Sequence, residues 1–92
     1  MTPVRWSPEA AADLEGIVDH VAIDNYDLAP EIAERIFEQV EMLKRFPQLG
    51  RPGKAAGARE LVIAGLPFIV VYELHAGAVE VLRIVHGAQD WE

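Results

Sequence analysis

The sequence predicts an α+β domain of order β–αα–βββ, in which a helical hairpin packs on one face of a small, mainly antiparallel, twisted sheet. Apolar residues recur twice at helical spacing in the first half of the chain, whereas β-branched and aromatic runs fill the second half. A loop rich in proline and glycine separates the halves. The 92 residues are enough for one domain, residues 1–92, and too few for two.

The chain opens with a short extended segment that leads into a helix. Pro3 restricts this segment to a sheet edge or the start of a strand. Ser7 can accept hydrogen bonds from free backbone N–H groups, and Pro8 suits the first helical position. We therefore predict a first helix over residues 8–23. Its apolar stripe consists of Ala10, Leu14, Ile17, Val18 and Val21.

A short polar break precedes the second helix. Asp27 is its predicted cap, and Pro30 falls in the first turn, where proline is tolerated. Because the link is short, the two helices should form an antiparallel hairpin. The apolar stripe of the second helix consists of Ile32, Ala33, Ile36, Phe37, Val40 and Leu43.

Three strands are predicted after the loop, over residues 59–64, 68–74 and 79–85. Strict alternation puts four residues of the last strand on one face. The helices can cover only one face of the sheet, so the uncovered face, carrying Arg59 or Arg83 according to register, is the predicted working surface. The four residues of the last strand are Val79, Val81, Arg83 and Val85.

Charge is distributed unevenly along the chain, whose net charge is −7. Residues 1–43 carry ten acidic and two basic side chains, whereas residues 44–92 carry five acidic and six basic ones. An acidic chain argues against binding nucleic acid through bulk charge. The balance leaves room for one local basic patch over residues 44–59, which contain five bases and no acid.

Several classes of function are excluded or disfavoured by composition. The chain has no cysteine, which excludes thiolate catalysis and cysteine metal sites, and its three histidines, His20, His75 and His86, lie at unrelated spacings. We predict no metal site and no cofactor. The longest apolar run, residues 68–72, is far shorter than the ~20 residues of a membrane helix. The N-terminus lacks the apolar segment of a signal peptide, so we expect a cytoplasmic location.

Three features remain as candidates for binding a partner or target. The basic stretch can hold phosphates or the acidic side chains of a partner. Arg83 lies inside an apolar strand, where it either contacts an anion or packs its stem and keeps its head in water. His86 can titrate near neutrality, and Trp91 either anchors the tail or takes part in recognition. The candidate residues are Arg51, Lys54, Arg59, Arg83, His86 and Trp91.

An ordered set of motifs, spread over nearly the whole chain, resembles the RelE/ParE superfamily of toxins from bacterial type II toxin–antitoxin systems. The resemblance implies the β–αα–βββ fold and a cognate antitoxin that wraps around the toxin and neutralises it. The motifs are Trp6-Ser7-Pro8-Glu9-Ala10, Asp13-Leu14, Phe46-Pro47, Gly50-Arg51-Pro52-Gly53, Arg59-Glu60-Leu61, Val70-Val71-Tyr72, and Leu82-Arg83-Ile84-Val85-His86-Gly87-Ala88-Gln89 with Trp91.

The superfamily has two branches, and the sequence is more similar to the ParE branch. RelE-like toxins cut messenger RNA in the ribosome with basic residues of the sheet and a C-terminal tyrosine or histidine, whereas ParE-like toxins poison DNA gyrase. Here Ile69, residues 62–64 and residues 87–88 stand where the ribonucleases carry basic side chains. Trp91 occupies roughly the place of their terminal tyrosine and cannot exchange protons.

The resemblance leads to one main hypothesis, a ParE-like toxin that inhibits DNA gyrase as a binding poison rather than an enzyme. One alternative is a ribosome-dependent mRNA endonuclease that uses His86, Arg83 and the basic residues of the loop. Because arginine is a poor base, His86 or Lys54 would have to carry the proton. The other is a degenerate toxin that only binds its antitoxin. We expect a hetero-oligomer with the antitoxin, no membrane contact and no sequence-specific DNA binding. The acidic and apolar segments of the antitoxin should cross the helical hairpin and the uncovered sheet face, near Arg51, Arg59 or Arg83.

Overall fold

A computed structural model describes residues 1–87 as two helices packed on a five-stranded sheet. The helices are α1 (Pro8–Asp24) and α2 (Ala29–Glu41), each followed by a short 3₁₀ turn, Tyr26–Leu28 and Met42–Lys44. The strands are β1 (Val4–Trp6), β2 (Arg51–Pro52), β3 (Ala58–Val62), β4 (Phe68–His75) and β5 (Ala78–His86). Within these residues, no helix combines the length and the apolar character needed to cross a membrane.

The sheet has the strand order β1-β5-β4-β3-β2 and is antiparallel except for the pairing of β1 with β5. The predicted α+β architecture, a helical hairpin on one face of a mainly antiparallel sheet, is confirmed. Strand β2 was not predicted, because its two residues lie in the loop rich in proline and glycine. Only pairing with β3, Arg51 opposite Glu60, makes it a strand.

The helix ends show one correct and one wrong cap prediction. Ser7 caps α1 as predicted, since its Oγ accepts from the Ala10 N–H at 3.0 Å and its hydroxyl donates to the Leu82 carbonyl at 2.9 Å. Asp27 is not the cap of α2. Instead, the Asn25 side chain accepts from the Leu28 N–H at 3.2 Å and starts the 3₁₀ turn from which α2 continues. A 3₁₀ turn of three residues is too short to produce a periodic pattern of apolar residues, so the sequence did not predict it.

The main core lies between the helices and the facing side of the sheet. Helix α2 contributes most of its predicted stripe, because residues spaced by three or four lie on one side of a helix. Phe37 departs from the prediction, since half of its surface is exposed. The fully buried members of this core with the largest side chains are Tyr72, Ile36, Leu43, Ile63, Val40, Val70, Val79 and Val81.

Strand β5 contains a β-bulge at Leu82. Val71 of β4 pairs with Arg83, whereas the next residue, Tyr72, pairs with Val81. Leu82 is therefore an extra residue on β5, opposite no residue of β4. An inserted residue shifts the alternation of side chains between the two faces for the rest of the strand.

The bulge overturns the predicted face of the last strand. Val79 and Val81 belong to the main core, and so does Ile84. Val85 belongs to a smaller apolar cluster on the other face of the sheet. Because neighbouring residues of a strand point to opposite faces, Arg83 lies on the opposite face from Ile84 and on the same face as Val85. The prediction that Val79, Val81, Arg83 and Val85 share one face was wrong, because strict alternation does not anticipate a bulge.

Candidate partner-binding surface

Arg59 is engaged in holding a loop and does not lie on the uncovered face. It pairs across the sheet with Tyr72, whose side chain is buried in the main core beneath the helices. Its Nη1 donates to the carbonyls of Gly50 at 2.6 Å and Gln48 at 3.4 Å. The alternative that put Arg59 on the uncovered face was therefore wrong, since the register aligns it with Tyr72.

Tyr72 fastens the same loop from inside the core. Its hydroxyl donates to the Pro47 carbonyl at 2.9 Å and accepts from the Gly50 N–H at 2.8 Å. Burial raises the pKa of the Tyr72 phenol, although the Gly50 hydrogen bond and the nearby Arg59 charge act to lower it. The hydroxyl thus keeps its proton and can donate. Arg59 and Tyr72 together hold residues 47–50 against the sheet.

Arg51 is paired with an acid that the sheet buries. Its Nε and Nη2 both lie 3.1 Å from the Oε1 of Glu60, the residue opposite it on β3. The Glu60 side chain is only 8% exposed, whereas that of Arg51 is 59% exposed. The guanidinium neutralises a buried carboxylate and still leaves part of its own surface exposed.

Arg83 extends from β5 towards α1 and binds both carboxylate oxygens of Asp13. Its Nε donates to Oδ2 at 2.7 Å and its Nη2 to Oδ1 at 3.1 Å. The Ile84 N–H also donates to Oδ2, at 3.0 Å. This backbone group needs a partner here because β1 ends opposite Val81. Asp13 therefore supplies a hydrogen-bond acceptor to the edge of β5 beyond the point where β1 ends.

The pKa of Asp13 is lowered by these contacts. Partial burial would raise it, but the Arg83 hydrogen bonds, the Ile84 N–H and the Arg83 charge together outweigh that effect. A carboxyl whose pKa is lower in the folded state stabilises the fold fully above its unfolded pKa. That contribution is lost as the pH falls through the lower folded value.

We therefore expect Asp13→Asn to flatten the acid end of the stability profile. Urea unfolding of the wild-type protein, followed between about pH 6 and about pH 2, should show a loss of stability below the ordinary carboxyl pKa of 3.8 that the variant partly lacks. At neutral pH the variant should lose about 1 kcal/mol, because the Arg83 and Ile84 donors are weakly satisfied by an amide. Asp19→Asn, at an exposed position on α1, should stay within about 0.5 kcal/mol at neutral pH. Parallel acid profiles for wild type and Asp13→Asn would contradict this assignment.

His86 lines an open groove of about 550 Å³ between α1 and the ends of β4 and β5. Its ring meets Phe68 edge to face at 5.8 Å. His20 and Gly16 of α1 line the opposite wall, and within residues 1–87 no lysine or arginine lines this groove. Asp13 also borders it, but its oxygens already accept from Arg83 and Ile84. The described part of the chain likewise holds no group of three potential metal ligands.

The structure does not assemble the six predicted candidates into one site. Lys54 is exposed between β2 and β3, and Trp91 lies outside the described residues. Arg51 and Arg59 lie on the paired strands β2 and β3 but bind different partners, Glu60 and the loop carbonyls. Arg83, on β5, is bound to Asp13, and His86 lines the groove beside α1. Their role in partner binding stays a prediction.

A surface that the sequence analysis missed lies on the outside of the helical hairpin. There a groove of about 450 Å³ opens between α1 and α2, which we call the hairpin groove. Its lining is almost entirely apolar. Two features of the sequence could have indicated this groove. The apolar residues of α1 are not confined to one side of the helix, and Phe37 lies at the margin of the α2 stripe. The principal lining residues are Trp6, Leu14, Glu15, Val18, Ala33 and Phe37.

Residues 4–91 match the model of the ParE toxin of the type II toxin–antitoxin system parDE. The chain belongs to this family. The toxin is therefore a type II toxin–antitoxin toxin of the ParE/RelE superfamily, as its motifs predicted.

Two relatives show how far the similarity of the toxin extends. It is 35% identical over 88 residues to a putative toxin, Y4kP, of Sinorhizobium fredii, covering 96% of this chain and 91% of the relative. It is also 33% identical over 89 residues to toxin RelE2 of Caulobacter vibrioides, covering 97% and 99%. The name of the second relative is that of the RelE branch, whereas the matching family model is that of the ParE toxin.

Solved structures agree with the fold of the toxin. A chain of the chromosomal ParDE toxin–antitoxin system from P. aeruginosa superposes with a TM-score of 0.88 at 30% identity, covering 94% of this chain and 96% of that one. A chain of the toxin–antitoxin complex RelBE2 from Mycobacterium tuberculosis superposes with a TM-score of 0.67 at 22% identity, covering 92% and 96%. The second match shows the shared fold alone.

Proposed function

We propose that this toxin acts by binding DNA gyrase and inhibiting it, and that a cognate antitoxin neutralises it in a hetero-oligomeric complex in the cytoplasm. The target follows from the resemblance to the ParE branch. The observation that carries the proposal is the separation of the groups that RNA cleavage would need.

Cleavage of RNA through its 2′-hydroxyl needs a base, an acid and stabilisation of the developing charge on phosphorus. The proton carrier among the candidates is His86, in a groove without lysine or arginine in the described part of the chain. Arg83, on β5, binds Asp13. Arg59 lies on a different strand, β3, and donates to loop carbonyls. Groups dispersed in this way support a binding poison better than a nuclease.

Assays on the purified toxin distinguish the two mechanisms. The toxin should inhibit supercoiling by gyrase or raise the level of gyrase–DNA cleavage complexes, and it should leave transcripts on translating ribosomes intact. His86→Ala, with an unchanged circular dichroism spectrum, should arrest growth as strongly as the wild type when no antitoxin is present.

Opposite results would overturn the proposal. Unchanged gyrase activity together with shortened transcripts would establish the ribonuclease, the candidate favoured by the 33% identity to toxin RelE2. Loss of toxicity in His86→Ala would point the same way. Absence of growth arrest by the wild type would leave a protein that only binds its antitoxin.

The antitoxin should be encoded by an adjacent reading frame. The solved structure matched at 30% identity belongs to a chromosomal ParDE toxin–antitoxin system, which supports such a partner. Co-expression with the protein from that frame should restore growth, and the two should co-purify. Any recognition of promoter DNA is assigned to the antitoxin, because the toxin carries a net charge of −7.

A further inference from the structure

Large apolar side chains are exposed where the chain passes from α2 to the sheet. Phe46 is 55% exposed, Leu49 47% and Val62 49%. Residues 46–49 line one shallow depression of about 410 Å³, and Leu49 and Val62 border a second of about 350 Å³ together with Arg51. Because Leu49 belongs to both, the two depressions form one continuous surface. We call residues 46–49, Arg51 and Val62 the loop surface.

The loop surface is held in place by hydrogen bonds to its backbone. The Leu49 N–H donates to the Phe46 carbonyl at 3.0 Å, which closes a turn within the loop. From below, the Tyr72 hydroxyl and the Arg59 guanidinium bind the backbone of residues 47–50. The exposed side chains therefore stand on a backbone that is already ordered. A partner that binds such a surface loses little affinity to the ordering of the loop.

Charge around the loop surface has the opposite sign to charge on the rest of the toxin. Residues 41–62 contain five basic and two acidic side chains, a balance of +3, whereas the other residues contain three basic and thirteen acidic ones, a balance of −10. Both acids of this segment are paired with bases of the same segment, at 2.7 and 3.1 Å. Arg45 is exposed beside Phe46. This combination of apolar and cationic groups complements a partner surface that is apolar and acidic.

We propose that the loop surface is the toxin's contact with DNA gyrase, and that it binds an acidic, apolar segment of the enzyme's protein surface. Phe46 and Leu49 are its apolar anchors, and Arg45 meets an acidic side chain of the enzyme. The inference rests on the proposed gyrase target and names the surface that reaches it. It also gives a role to the basic stretch over residues 44–59.

Other occupants fit the loop surface less well. DNA would meet the basic side chains but would leave Phe46, Leu49 and Val62 without an apolar partner, and the balance of −10 elsewhere on the toxin would repel it. A second copy of the toxin would have to bring a different surface, its acidic hairpin, against this one. Such a heterologous contact produces rings or open chains instead of a closed dimer.

The apolar part of the inference is tested with a matched pair of aromatic truncations. The probe is purified DNA gyrase, and the measurement is the toxin concentration that half-inhibits supercoiling. Phe46→Ala should raise this concentration about tenfold or more, because aromatic anchors dominate the binding energy of an interface. Tyr26→Ala removes an aromatic side chain that is 79% exposed at the other end of α2, a helix of 13 residues and about 20 Å. It should change the concentration less than about threefold.

The charge part is tested with opposite charges at a single position. Gln48 is exposed in the loop surface between Phe46 and Leu49. Gln48→Lys should lower the half-inhibiting concentration about threefold, and Gln48→Glu should raise it by about the same factor. Both variants lose the same amide, so the difference between them reports charge alone. Circular dichroism establishes that each variant is folded, and calorimetric titration with the adjacent-frame protein measures its affinity for the antitoxin.

The outcomes separate the inference from the proposed function. If the wild-type toxin leaves both supercoiling and cleavage-complex levels unchanged, the gyrase target fails and the inference fails with it. If the wild type inhibits gyrase and Phe46→Ala behaves like Tyr26→Ala, the target stands and the loop surface is wrong. If Gln48→Glu inhibits more strongly than Gln48→Lys, the partner surface is cationic and the stated polarity is wrong.

Two further results would assign the loop surface to another occupant and overturn the inference. One is a Phe46→Ala toxin that inhibits gyrase normally but binds the adjacent-frame protein more weakly, which would make the surface part of the antitoxin site. The other is binding of labelled DNA by the wild type without gyrase, lost in Gln48→Glu, which would make DNA the ligand.

Discussion

Replacing Tyr72 with phenylalanine should lower the free energy of unfolding by about 2 kcal/mol. The substitution keeps the ring in the core and removes only the hydroxyl. The Gly50 N–H, which donates to that hydroxyl at 2.8 Å in a buried position, would then have no acceptor there. The Pro47 carbonyl would lose its donor as well. A buried donor left unsatisfied costs more than an average hydrogen bond contributes, because its hydration is not restored.

Urea denaturation of both proteins at neutral pH measures this difference. Tyr26→Phe is the matched control, since Tyr26 is 79% exposed, and it should change stability by less than about 0.5 kcal/mol. A Tyr72→Phe protein as stable as the wild type would show that the loop over residues 47–50 is held without the phenol.

Gly50→Ala should be more disruptive, with a loss of about 3 kcal/mol. A β-carbon at residue 50 would lie 2.7 Å from a Tyr72 ring carbon, 2.8 Å from its hydroxyl oxygen and 2.9 Å from the Glu60 carbonyl oxygen. None of these atoms belongs to a flexible side-chain end. The loop must move away from the sheet, which also strains the bond from Arg59 to the Gly50 carbonyl.

Gly16→Ala is the informative control for that substitution. Gly16 lies within α1, and a β-carbon there would meet nothing within 4 Å. This variant should gain about 0.5–1 kcal/mol, because alanine favours a helix over glycine. Because Gly50 and Tyr72 touch, the Gly50→Ala/Tyr72→Phe double variant should lose less than the two single losses combined. Equal stability of Gly50→Ala and Gly16→Ala would refute the close packing at residue 50.

Sequence patterns predicted the elements that rest on periodicity or on local chemistry. The start of α1 at Pro8 needed only a serine cap and a proline, and both act within one turn. The buried stripe of α2 needed only the spacing of its apolar residues. The family was predictable because its motifs occur in order along nearly the whole chain, and residues 4–91 match it.

The candidate site was less predictable, because the sequence does not show which groups each charged residue contacts in the folded protein. Arg83 is 70 residues from Asp13 in the chain, and Arg59 binds a carbonyl 9 residues earlier. The same residue type on a strand can neutralise a buried acid, hold a loop or face a partner. No local pattern separates these roles.

The amino-acid sequence alone was enough to define the α+β class, the helical hairpin, the acidic first half and the toxin family, because each depends on residue type and spacing along the chain. The bulge at Leu82, the roles of Arg59 and Arg83 and the hairpin groove emerged only from the folded arrangement. They depend on which distant backbone and side-chain groups come within hydrogen-bonding or van der Waals distance. That proximity is set by the packing of the whole domain.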